Sequence, residues 1–316
     1  MFADKYIERV IRTRSHLCVG LDLILDRFPS VILERAEKMY GKTPKGAGHA
    51  IFEFNKLIID TIADKVPIVK PQLAYYEKYD HFGVAAFWQT VEYAQKRGLL
   101  VIADAKRGDI GTTSQAYAEA FYKSTEDEWV SSIAVDAVTV NPYLGSDGLE
   151  PFVNLSIGND KGTIILVKTS NPSSGEFQDQ ITEASGKSIS ESVCDYINSR
   201  SNPIGKYGFS DVGAVIGATY AKDLARFREI LPNSLFLVPG IGYQGGDVEQ
   251  LALAFNEKGL GAIISCTRAI NYAYQTVGVS EEEVKASILK AVDSFNQSIN
   301  SALIEAGKFF SDEVLM

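Results

Sequence analysis

The residue types best suited to chemistry stand together in Asp104-Ala105-Lys106-Arg107-Gly108-Asp109, directly after the apolar run 99–103. Residues two apart on an extended strand project from one face, so Asp104 and Lys106 are expected side by side. A carboxylate and an ammonium at the end of a buried strand are costly to desolvate unless they pair. Two readings follow: an ion pair that closes the strand, or an acid and a proton donor held for catalysis. Asp109 lies beyond the strand and belongs to neither position.

Other polar residues end similar runs. Asp22 follows the run 17–21, Lys70 follows 66–69 and Asn141 follows 137–140. Lys168-Thr169-Ser170 follows 163–167, Gly217 follows 212–216, Pro239-Gly240-Ile241-Gly242 follows 235–238, and Thr267-Arg268 follows 262–265. No one of them is diagnostic. If the runs are the strands of a barrel, all of these residues converge on one mouth. The glycine-rich stretch from Pro239 through Gln244 to Gly246, with Arg268 at the next strand's end, supplies backbone donors and a guanidinium fork suited to phosphate.

The elements that must position these residues are legible as eight short apolar runs alternating with longer helical patterns. Continuous apolar runs of this length suit parallel strands buried on both faces. Helical spacing recurs at 51–65, 84–97, 219–231 and 247–258. It is clearest in Val284, Ile288, Val292, Phe295, Ile299 and Leu303, which Ser280 and Glu283 precede as a capping box. A chain of 316 residues suits one α/β domain, a (β/α)8 TIM barrel of about 250 residues or more; an open doubly wound sheet is the alternative. Phe2, Tyr6, Val10 and Ile11 predict an amphipathic N-terminal helix. Two long connections stand out as lids: 24–50, with a helix over 30–39 and then a loop, and 171–207, with a helix near 190–197.

Composition excludes several classes. A net charge of -9 argues against a nucleic-acid partner. No run approaches the roughly 18 apolar residues of a membrane span, and the N-terminus does not read as a signal peptide, so a cytoplasmic protein is expected. Three cysteines without a CxxC pair argue for a reducing compartment and against zinc. Cys18 and Cys266 lie in apolar runs and read as inert thiols. His16, His49 and His81 read as surface or capping residues, and Trp88, Tyr75 and Tyr76 as packing.

Asp104-Ala-Lys106-Arg-Gly-Asp109-Ile-Gly-Thr-Thr113 resembles the Asp-x-Lys-x-x-Asp signature of the orotidine 5′-phosphate decarboxylase family. The resemblance extends to Val-Gly-Leu-Asp22, Val-Lys70-Pro-Gln, Lys-Thr-Ser-Asn-Pro172, Pro-Gly-Ile-Gly-Tyr-Gln244 and Thr-Arg268, and the length is similar to that of its longer, divergent subgroup. It implies decarboxylation of orotidine 5′-monophosphate to uridine 5′-monophosphate, without cofactor or metal. On this resemblance Lys106 is the proton donor, Asp104 faces the departing carboxylate, and Lys70 completes the charge array. Asp22 bonds the ribose with Lys70, Ser170 touches the pyrimidine, and Gln244 and Arg268 hold the phosphate. Asp109, Ile110 and Thr113 serve the partner subunit's site in a homodimer. Asn141 and Pro239 are further mouth residues expected to touch substrate.

Two other functions share parts of this pattern. Related barrels with the same signature carry out magnesium-assisted aldol or sugar-phosphate decarboxylation chemistry, but place an acidic ligand where this chain has Lys70, a cation that repels Mg²⁺. A non-catalytic nucleotide-binding barrel needs the phosphate cup but not Asp104, Lys106 and Asp109.

Overall fold

A computed structural model describes residues 1–122, 129, 133–218, 221–240, 249–274 and 276–309. In order the elements are α1 (Phe2–Thr13), β1 (Leu17–Gly20), α2 (Ser30–Tyr40), α3 (Pro44–Ile62), β2 (Ile68–Lys70), α4 (Ala74–Glu77), α5 (Asp80–Lys96) and β3 (Leu100–Arg107). They continue with α6 (Gly111–Tyr122), β4 (Ala137–Val140), α7 (Ser146–Gly158), β5 (Gly162–Lys168), α8 (Gly175–Gln178), α9 (Ile189–Ser199), β6 (Ser210–Ile216) and α10 (Ala221–Ile230). The last are β7 (Ser234–Pro239), β8 (Ala262–Cys266), α11 (Arg268–Asn271) and α12 (Glu281–Glu305).

The strands close in sequence order, β1 to β8, and β8 pairs back in parallel with β1 through Leu17↔Ile264 and Cys18↔Ser265. That closure decides for the barrel and against the open sheet. Alternation along each strand then sorts the core into two layers. Leu17, Val19, Val69, Val101, Ala103, Val138 and Ile264 face the helices. Cys18, Ile68, Leu100, Ile102, Ala137, Ile164, Leu237 and Ile263 fill the barrel interior.

The amphipathic N-terminus forms α1, whose Phe2, Tyr6, Ile7 and Val10 join that interior cluster and close the barrel's bottom. Ala3 N–H donates to Asp211 Oδ1 at 2.9 Å, and Tyr6 Oη donates to Ala262 O at 2.8 Å. With one end stoppered by apolar residues, the carboxyl end is left for chemistry.

The capping box is present at α12, where Ser280 and Glu283 exchange hydrogen bonds, and a second one, Ser188 with Glu191, starts α9. Three expectations change. The loop expected after α2 is only residues 41–43, because Thr43 caps α3 and Pro44 opens it. Gly48 lies inside α3, where a Cβ would stand 2.6 Å from Phe82 O. The helix expected over 247–258 is, among the described residues, a 3₁₀ segment, Glu249–Ala254. The buried Arg228 guanidinium donates to Ala254 O, at the end of that segment, and to Gly261 O, both at 2.9 Å. His16 is buried, not at the surface; it lies edge-on to Phe255, and burial pushes its pKa down to about 3.

Candidate active site

Strand parity explains how apolar strands deliver polar groups to one place. Ile68 faces the barrel interior, so Lys70, two residues on, also points inward, one layer higher. The same step leads from Ile102 to Asp104, from Ala137 to Thr139, from Leu237 to Pro239 and from Ile263 to Ser265. The top layer of the interior is therefore polar. Gly20 takes part by omission: a Cβ there would lie 2.0 Å from Thr267 Oγ1.

A pocket of about 310 Å³ opens above this layer, lined by Asp22, Lys70, Gln72, Tyr75, Asp104, Lys106, Ser170, Pro239, Gly240, Ser265, Thr267, Arg268 and Ala269. A larger cavity of about 600 Å³ lies between α2 and α3, with Leu33, Ala36, Ala47, Ala50 and Tyr79 among its walls. It is mostly apolar and holds none of the strand-end polar groups, so the smaller pocket is the chemically equipped one.

Its centre is a row of alternating charge. Lys70 Nζ lies 2.9 Å from Asp104 Oδ2, and Lys106 Nζ lies 2.5 Å from Asp104 Oδ1. Lys70 and Asp104 are buried, whereas Lys106 is 44% exposed. Burial works against the Asp104 carboxylate, but Lys70 and Lys106 outweigh it and hold its pKa below the usual carboxylate range. Burial also works against the Lys70 ammonium, and Asp104 with Asp22 outweighs it and pushes its pKa up. Both groups stay ionised across the neutral range. Asp22 differs: burial raises its pKa in spite of Lys70, and its Oδ1 is buried with no hydrogen-bond partner among the described residues.

The expected side-by-side geometry arises by another route. β3 and β4 pair as Ala103↔Val138 and then Arg107↔Val140, so four steps along β3 match two along β4. Within that bulge Lys106 takes a left-handed φ of +46°. The two side chains meet because the backbone folds back, not because an extended strand repeats every second residue.

Of the sequence-derived residues, the pocket brings together Asp22, Lys70, Asp104, Lys106, Ser170, Pro239 and Arg268. Asp109, Ile110 and Thr113 lie outside its lining, at the turn into α6; Asp109 Oδ1 accepts the Ile110 N–H at 2.8 Å, and Ile110 and Thr113 are exposed. Asn141 is also exposed and outside the lining, its Oδ1 accepting the Tyr143 N–H at 3.1 Å. Gln244 lies outside the described residues. Sequence reasoning missed Thr139, whose only signal is a hydroxyl inside the buried run Ala-Val-Thr-Val. Tyr75, read as packing, does pack against the core and also lines the pocket, while Tyr76 is fully buried and donates to Leu21 O at 3.2 Å.

Comparison with known proteins agrees with this geometry. The family model of orotidine 5′-phosphate decarboxylase / HUMPS matches residues 15–282. The chain is 39% identical over 305 residues to the orotidine 5′-phosphate decarboxylase of Caldicellulosiruptor saccharolyticus, covering 96% of this chain and 99% of that one. It is 36% identical over 306 residues to the enzyme of the same name from Rhodopirellula baltica, covering 94% and 98%. Among solved structures, Leishmania donovani OMP decarboxylase superposes with a TM-score of 0.71 at 29% identity, covering 96% of this chain and 99% of that one. A (β/α)8 barrel with alternating charges at the ends of β2 and β3, matched along nearly its whole length, belongs to the orotidine 5′-phosphate decarboxylase / HUMPS family.

Proposed function

We propose that this chain decarboxylates orotidine 5′-monophosphate to uridine 5′-monophosphate and CO₂ without metal or cofactor. The observation that carries the reading is Asp104 held ionised between two ammonium groups, Lys70 and Lys106, in the mouth pocket. Breaking the C6–carboxylate bond leaves its electron pair on C6, and no cofactor takes it up, so the site must stabilise that charge electrostatically. The Lys106 ammonium favours the carbanion and then transfers a proton to C6; solvent reprotonates the amine. Asp104 disfavours the substrate's carboxylate but not neutral CO₂. Two carboxylates about 4 Å apart repel by about 4 kcal/mol at an effective dielectric near 20, and the two lysines offset part of this.

Arg268 lies in the pocket wall after β8, where phosphate is expected, and Gln244 is its proposed companion. Binding energy from phosphate, remote from C6, is then available at the reacting centre. Asp22, whose Oδ1 has no donor among the described residues, suits a ribose hydroxyl, and Ser170 suits the pyrimidine. The magnesium-assisted alternative is disfavoured because both Asp104 oxygens already take ammonium donors. A divalent ion there would have to displace a lysine.

The proposal extends to a homodimer in which Asp109, Ile110 and Thr113 reach the partner's site. Exposed apolar side chains around that turn support it: Ile110 is 53% exposed, Tyr143 81% and Leu144 48%. The place of action proposed is the cytoplasm; among the described residues no helix is long and apolar enough to cross a membrane. Incubation with orotidine 5′-monophosphate should release CO₂ and uridine 5′-monophosphate in equal amounts. Tight uridine 5′-monophosphate binding with no CO₂ would instead favour a non-catalytic nucleotide-binding barrel.

A further inference from the structure

We infer that Thr139 is a positioning residue for the charge array, acting through Asp104 and Lys106 without touching substrate; this rests on the decarboxylase reading. Its hydroxyl stands at the β3 bulge and bonds both residues. Thr139 Oγ1 accepts the Lys106 backbone N–H at 3.0 Å and donates to Asp104 Oδ1 at 3.0 Å. The side chain is buried and is not part of the pocket wall.

The bulge makes this hydroxyl necessary. Where β3 runs two residues ahead of β4, the Lys106 N–H bonds a side chain, Thr139 Oγ1. That bond holds the left-handed backbone that turns Lys106 toward Asp104. A hydroxyl has one proton to give. Accepting from Lys106 leaves that proton for Asp104 Oδ1 at 3.0 Å, nearer than the other acceptor, Ala103 O at 3.5 Å, and Lys106 Nζ approaches the same Oδ1. One side chain thus fixes the backbone of the proton donor and the rotamer of its opposing carboxylate. Valine has nearly the same shape and neither function.

The test compares wild type, Thr139→Val and Thr139→Ser for kcat and KM with orotidine 5′-monophosphate. Dissociation constants for uridine 5′-monophosphate and melting temperatures are measured on the same preparations. Thr139→Val is expected to lower kcat about 10- to 100-fold, the scale of one hydrogen bond to a charged group, with product affinity within threefold of wild type. Thr139→Ser, which keeps the hydroxyl, is expected to restore kcat to within threefold. If Thr139→Val yields no folded protein, Thr139→Cys, a weaker donor of similar size, takes its place with an intermediate loss expected. A valine variant with near-normal kcat, or equal losses in valine and serine variants, overturns the inference and leaves the decarboxylase reading intact. A wild-type protein that binds uridine 5′-monophosphate but releases no CO₂ defeats that reading, and the inference falls with it.

Discussion

Lys106 Nζ stands 2.5 Å from Asp104 Oδ1 across a backbone that has left the regular strand, with Lys106 at a φ of +46°. A left-handed conformation costs a non-glycine residue roughly 1–2 kcal/mol, and such strain persists where the surroundings over-determine it. Here the surroundings are Asp104 and Thr139. The position of the proton donor is therefore set by the bulge as much as by the lysine.

Two substitutions separate these contributions. Lys106→Ala is expected to lower kcat by about 10²–10⁴-fold, the range of general acid catalysis, while the protein still binds uridine 5′-monophosphate. Lys106→Gly is expected to be equally inactive but more stable than Lys106→Ala by about 1 kcal/mol, because glycine adopts this φ without strain. Equal melting temperatures for the two variants would show that the backbone here is not strained.

The phosphate assignment predicts a large loss from Arg268→Ala. Removing one partner of a charge-assisted pair costs about 2–5 kcal/mol, so kcat/KM should fall by about 30-fold or more. A near-normal kcat/KM in this variant would remove Arg268 from the site.

The shared-site dimer predicts complementation. Mixing Lys106→Ala with Asp109→Ala protein, each inactive alone, should regenerate about a quarter of wild-type activity, because half the dimers are mixed and each has one intact site. No recovery, with subunit exchange verified by mass spectrometry, would place Asp109 in its own subunit's site.

Much of this was readable from the chain. Continuous apolar runs revealed all eight strands, because parallel strands buried on both faces leave no polar interruption until the mouth. The convergence of Asp22, Lys70, Asp104, Ser170 and Arg268 followed from the same fact. What escaped depended on contacts between distant segments. Gly48 looks like a loop residue until Phe82 is packed against it, and the segment Glu249–Ala254 ends at a carbonyl that Arg228, from another element, bonds. The bulge at Lys106 escaped because strand periodicity assumes one residue opposite one, and nothing local in Ala-Lys-Arg announces two extra residues. Thr139 escaped with it, since its role exists only opposite that bulge.

The closed bottom of the barrel carries a pH dependence of its own. Burial pushes the Asp211 carboxyl up to about 6, and the Ala3 N–H only partly offsets this. A carboxyl whose pKa rises on folding contributes fully below its unfolded value near 3.9, and that stability is lost as pH rises through about 6. Asp211→Asn keeps an oxygen acceptor for Ala3 and removes the titration. It is expected to raise the melting temperature by about 2–4 °C at pH 8 and by little at pH 4. An equal shift at both pH values would mean that burial of the charge is not the cause.

The central claim is that the row Lys70–Asp104–Lys106 performs decarboxylation unaided. The most direct measurement follows the ultraviolet absorbance of orotidine 5′-monophosphate with protein treated with excess EDTA, for wild type and Lys106→Ala side by side. The account predicts multiple turnovers by the chelated wild type at its untreated rate and near-complete loss in the variant. Turnover that stops with EDTA and returns with Mg²⁺, or a variant as active as wild type, would contradict it.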